Sequence, residues 1–215
     1  DVVAGNFVLI GLLVDIDGTL SNLESENSTV TLNTALDVEG NATVAAASEL
    51  LVEGALSIRD GDLGMTSTGG SITIDGLVDV EGSATVNANV DATFKSLLDV
   101  ALTLTLVTGA NLNLRHGLKS GGSTTATAGG DIDIDGNVEV ADSLALNAAE
   151  NISLFGNWTV QVDFDTTAKT LDINGSGSYA TFSSLSVDTT DVVGNITTTG
   201  STTITTGTHL MITGD

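Results

Sequence analysis

Apolar side chains recur at every second position in short runs along this chain, and in the second half the runs repeat about every twenty residues. Ile132, Ile134, Val138 and Val140 flank Gly136, and Ile152, Leu154, Trp158 and Val160 flank Gly156. Leu171 and Ile173 precede Gly175, Leu210 and Ile212 precede Gly214, and Val192 and Ile196 flank Gly194. Gly117 opens this evenly spaced series, although it has Arg115 where an apolar residue is expected. Alternation with period two places every second side chain on one face of a β-strand. One such unit holds two or three strands and cannot bury its apolar face alone, so similar units must stack. The pattern predicts an all-β, right-handed parallel β-solenoid (β-helix) of about 11 coils, a rod of roughly 50 Å at ~4.8 Å per coil. The competing architecture is a pilin-like β-sandwich with a strand every eight to twelve residues.

The first half carries the same cassette less regularly. LDVEGNATV (36–44), LLVEGALSI (50–58), ITIDGLVDV (72–80) and VDVEGSATV (78–86) all keep apolar or small residues two and four positions either side of the glycine. Two of them overlap, so the cassette does not mark a unique corner per coil and the phase of this half stays open. No long window keeps a helical period; the alanine-rich stretch 42–51 is the best helical candidate and is short. Residues 1–215 are expected to form one domain, less regular before 117 than after it.

Composition narrows the picture. Hydrophobic residues make up 41% but aromatics only 3%, so Val, Ile, Leu and Ala must fill the interior. Proline and cysteine are absent, which removes disulfides and thiolate metal sites and suits strands joined by tight turns. With 28 acidic and 5 basic residues the formal charge is −23, a field that repels nucleic acid and anionic membranes. The apolar stretch 7–14 is too short to span a bilayer. Asp1 opens without the basic region of a leader, so an exported form is expected to have lost it.

Three segments carry a family resemblance. STGGSITIDGLVDVEGSATVNA (67–88), TAGGDIDIDGNVEV (127–140) and LALNAAENISLFGNWTV (144–160) resemble the repeats of filamentous-haemagglutinin-type exoproteins and the β-solenoid passengers of autotransporters. The resemblance implies a right-handed parallel β-helix displayed at a Gram-negative-type cell surface, used for adhesion or as a spacer. The irregular first half departs from that pattern, as does the lack of a recognisable amino-terminal secretion domain.

Several groups invite a chemical reading. Asp131, Asp133 and Asp135, with Gly136, Glu139 and Asp142, match the oxygen-ligand spacing of a calcium loop. The same residues also read as a strand with Ile132 and Ile134 inward and the aspartates outward; the cassette at 72–76 has Thr73 in place of Asp133. The outward strand is the preferred reading, with no cofactor required; calcium on Asp131, Asp133 and Asp135 is the one alternative. Acids precede the glycine at Asp17, Glu39, Glu53, Asp75, Glu81 and Asp135, where stacking would bring like charges together. Arg115, His116 and Lys119, with Lys95 about one coil earlier, form the basic cluster that a polysaccharide lyase would need; a solvated turn is the preferred account of them. His209 stands alone, and Trp158 falls at an inward offset. Six N-x-Ser/Thr sequons occur, at Asn27, Asn41, Asn151, Asn157, Asn174 and Asn195, little above the number that composition alone provides.

No catalytic residue is assigned. The expected function is a non-catalytic extracellular structural or adhesive protein whose partner is a surface receptor or glycan. Because the chain opens and closes inside the repeat, end-to-end association into a fibre, or continuation in a longer solenoid, is also expected. The alternatives are a polysaccharide lyase-like β-helix enzyme and a β-sandwich pilin that polymerises by donating a strand.

Overall fold

The computed structural model describes residues 2–4, 8–10 and 14–213, with side chains described for 15–20 and 23–213. Phe7 and Gly214 lie outside the described residues. As far as Ala148 each coil has three strands, and an inner strand pairs in parallel with the strands three before and three after it. Face one carries the longer strands, such as Ala42–Ala46, Leu63–Ser67, Ala84–Ala88, Leu104–Thr108, Thr124–Ala128 and Leu144–Ala148. Face two includes Leu50–Val52, Ile72–Ile74, Ala92–Phe94, Leu112–Leu114 and Ile132–Asp135. Face three includes Leu56–Arg59, Val78–Val80, Leu98–Val100, Leu118–Ser120 and Val138–Val140. From Asn151 to Val193 the strand is continuous and bends around the corners without a break. A sandwich is excluded, because its sheets are antiparallel and every described ladder here is parallel.

The alternation read from the sequence is the inside-outside alternation of the coil. Leu112, Ile132 and Ile152 stack in one inward column, and Leu114, Ile134 and Leu154 in the next; all six are buried. About ten coils result, close to the expected eleven. The shortfall has a simple cause: early coils are longer. Val14 pairs with Leu36, a wider separation than that between the paired Leu104 and Thr124.

The two overlapping cassettes of the first half occupy two corners of one triangular coil. Gly76 turns the chain from face two to face three, and Gly82 turns it from face three to face one. In the second half the repeat glycines Gly117, Gly136, Gly156, Gly175 and Gly194 all sit at the corner between faces two and three, each at positive φ. Backbone approach fixes the residue type there. A Cβ on Gly156 would collide with the carbonyl oxygen of Gly136 on the neighbouring coil.

Beyond residue 150 the interior changes character. Trp158, Phe164, Tyr179 and Phe182 turn inward and stack, with ring centroids 6.3 Å apart for Trp158–Phe164 and 5.2 Å for Phe164–Phe182. Gly177 makes room for this cluster, since a Cβ there would collide with the Tyr179 hydroxyl.

Candidate binding surface on the outer columns

Outward side chains one coil apart stand about 4.8 Å from each other, so the outer surface is a set of columns along the rod. What those columns do was legible in the sequence only once the corners were phased.

The column before face two is a hydrogen-bonded ladder. Asn111 donates to Asp91 Oδ1 from its backbone N–H (2.9 Å) and its side-chain amide (3.0 Å). Asp131 donates its N–H to Asn111 Oδ1 at 3.0 Å, and Asn151 donates to Asp131 Oδ1 at 3.0 and 2.8 Å. Aspartate and asparagine alternate because each carboxylate accepts from the amide beside it, without two carboxylates facing each other. Asp131, the first residue of the calcium-like spacing, is thus a rung of this ladder.

Asp133 and Asp135 lie on the strand Ile132–Asp135 and point outward, while Ile132 and Ile134 point into the core. Alternate residues of one strand are about 6.6 Å apart, so the backbone spreads these carboxylates instead of wrapping them around a point. Among the described residues, no group of three or more His, Asp or Glu side chains is gathered closely enough to hold a metal ion.

The acids before the glycines separate into two columns. Asp17, Glu39 and Glu81 belong to the corner leading into face one; Glu53, Asp75 and Asp135 belong to the corner between faces two and three. Both columns are interrupted by cations. Arg59 pairs in register with Glu39 and holds Asp37 at 2.9 Å. Lys95 holds Asp75 at 2.8 Å. On face three Lys119 holds Asp99 at 2.8 Å, and Lys169 holds Glu150 at 2.6 Å. Each cation reaches an acid on the preceding coil. The hydrogen bond to Asp99, then its charge, holds the Lys119 ammonium above its ordinary pKa; the hydrogen bond and charge of Asp37 do the same for Arg59.

The basic cluster therefore divides. Lys95 and Lys119 are spent on ion pairs, His116 is exposed at the corner, and Arg115 is left over. Arg115 follows Leu114 on face two and makes no ion pair or side-chain hydrogen bond among the described residues. It lines a cleft of about 270 Å³ together with Asn113, Leu114, Asp133, Ile134, Asp135 and Phe155. Phe155, in register with Asp135, is 41% exposed. Nothing in the sequence motifs marked Phe155. A second shallow cleft, lined by Lys119, Glu139, Thr159 and Gln161, opens on face three.

Trp158 lies inside, as its offset predicted, with 2% of its surface exposed. Further along the outside of face two, Asp172 is held above the ordinary carboxylate pKa by burial and by the charge of Asp191. No helix among the described residues is long and apolar enough to cross a membrane. Comparison with known proteins gives no match: no family model, no curated protein and no solved structure matches this chain.

Proposed function

We propose that this chain is a non-catalytic extracellular structural and adhesive solenoid of the kind that filamentous-haemagglutinin-type exoproteins and autotransporter passengers carry at a cell surface. The observation that carries this reading is the use made of the outer polar groups. The Asp–Asn ladder and the four paired cations join one coil to the next, so this chemistry serves stacking along a rod of about 50 Å. A lyase reading needs a free base beside a carboxylate-neutralising group, and two of the four basic residues it would draw on are already paired.

The same reading extends to end-to-end association. Parallel coils pair through open strand edges, so a rod of this kind can be extended by a coil of a longer chain or of a second copy. Electron microscopy of the purified 215-residue chain is the test. Fibres with a subunit repeat near the rod length are expected; a monodisperse monomer at high concentration would overturn the association. Cleavage of any acidic polysaccharide in a product-release screen would overturn the non-catalytic reading.

A further inference from the structure

On faces two and three several polar side chains are committed from coil to coil, and those around Arg115 are not. Asn113, Arg115, Asp133 and Asp135 form no side-chain hydrogen bond or ion pair among the described residues, while Asn111, Asp131 and Asn151, at the start of the same strands, are all engaged. Arg115 is the one arginine or lysine of the described residues left unpaired. Phe155 is the one exposed aromatic among them; Phe94, Trp158, Phe164, Tyr179 and Phe182 are buried. These exceptions coincide, because all five residues line the same cleft.

The register sets their arrangement. Asn113 stacks on Asp133, and Asp133 on Ser153; the column beside it continues from Arg115 through Asp135 to Phe155. Three coils at ~4.8 Å and alternate residues at about 6.6 Å make a footprint of roughly 10 by 7 Å. That suits a flat ligand of one or two ring units. The phenyl ring offers an apolar platform at one end. The guanidinium supplies a rigid fork of donors, the carboxylates supply acceptors, and the amide supplies both. Four polar side chains around one exposed aromatic ring suit a ligand that carries hydroxyls on a ring with an apolar face.

We propose that this cleft binds a neutral glycan, with Phe155 packed on the C–H face of a sugar ring and Arg115, Asp133, Asp135 and Asn113 bonded to its hydroxyls. Charge selects against anionic sugars: two carboxylates stand beside one guanidinium, on a chain of formal charge −23. The assignment rests on the adhesive reading above and supplies the contact residues that it lacked.

The test uses the full chain on printed neutral, sulfated and sialylated oligosaccharides, followed by calorimetric titration of the strongest neutral hit. Phe155→Ala and Arg115→Ala are each expected to weaken that hit at least tenfold without moving the melting temperature, and Asp133→Asn with Asp135→Asn to weaken it several-fold. Lys119→Ala, on face three, should bind as the parent does. Binding should persist in EDTA; its loss there would overturn direct contact by these side chains. The proposal is also overturned if no neutral glycan is retained at millimolar concentration, if only charged glycans bind, or if Phe155→Ala and Arg115→Ala leave the hit unchanged. Chain-coated beads separate the two levels of the argument. Beads that adhere to cells equally well with Phe155→Ala sink this site and leave the adhesive reading standing. Glycan binding by the soluble chain without bead adhesion sinks the adhesive reading and supports the site.

Discussion

Ile134 and Asp133 are neighbours in the chain with opposite surroundings: Ile134 is fully buried between Leu114 and Leu154, and Asp133 faces solvent. Ile134→Asp puts an unpaired carboxylate into the core and is expected to cost at least about 3 kcal/mol. Asp133→Asn should stay within about 0.5 kcal/mol of the parent. Urea melts of the two variants check this, and equal effects would contradict the parity on which the whole fold rests. That parity was fully legible in the sequence, since it needs only alternation. The same rule puts Tyr179, four residues past Gly175, inside; what it does not give is the role of Gly177, whose missing Cβ leaves room for the Tyr179 hydroxyl. Burial holds the Tyr179 hydroxyl well above its ordinary pKa of 10.0, and the hydroxyl has no hydrogen-bond partner. The folded state therefore favours the protonated phenol. Its contribution is fully present below the unfolded pKa, and stability falls as pH rises past that value toward the folded one. Because this is the only tyrosine, phenolate absorbance reports on it alone. Ionisation is expected to coincide with alkaline unfolding instead of preceding it. Tyr179→Phe should be neutral, or stabilising by up to about 1 kcal/mol, since it removes a buried hydroxyl without a partner.

At the scale of strands and columns, the ladder at the start of face two makes a sharper claim than any single contact. Asp131 accepts from both the backbone and the side-chain amide of Asn151. Asp131→Ala removes both acceptor bonds and should cost about 1 kcal/mol, whereas Asp131→Asn keeps a carbonyl oxygen in place and should cost less. Hydrogen exchange at the Asn151 amide measures the local effect, with protection reduced in the alanine variant and largely kept in the asparagine variant. From the sequence these acids read either as calcium ligands or as an outward row. Two causes hid their role. The glycine cassette serves two different corners, so acids with the same local motif fall in different columns, and a ladder partner a full coil away is invisible until the coil length is known. In the second half the evenly spaced glycines from Gly117 to Gly194 mark one corner only, so the period could be read directly. In the first half uneven coil lengths and a register shift between Leu20 and Leu23 blurred it.

At the scale of the whole molecule, charge and repetition govern what the rod tolerates. A formal charge of −23 on one rod destabilises the compact state by self-repulsion, and only four paired cations among the described residues offset it. Sodium chloride is expected to raise the melting temperature by screening. With Asp133 and Asp135 spread along a strand, calcium should do no more than sodium at matched ionic strength. A calcium-specific gain that Asp133→Asn and Asp135→Asn abolish would place an ion there.

Repetition makes the most demanding prediction, because stacked coils contribute nearly independently and contact only their neighbours. Ala84 pairs with Leu104, Ala92 with Leu112 and Leu98 with Leu118, so the segment 84–103 is one complete coil. Deleting it brings Leu104 onto Leu63, Leu112 onto Ile72 and Leu118 onto Val78, which keeps every inward column apolar. The outer chemistry also survives. Lys119 loses Asp99 and gains Asp79, which held the same position one coil earlier, and Arg115 takes the place of Lys95 beside Asp75. The shortened chain is expected to fold cooperatively, with a rod about 4.8 Å shorter. Deleting only 84–94 removes two of the coil's three strands and leaves the third. Face-three strands would then be forced onto face one, and the parity of everything downstream would be inverted. That variant should lose its cooperative melt. Circular dichroism melts together with small-angle scattering distinguish the two. If the in-register deletion is as damaging as the out-of-register one, the coils are not interchangeable and stability is not carried by neighbour-to-neighbour stacking.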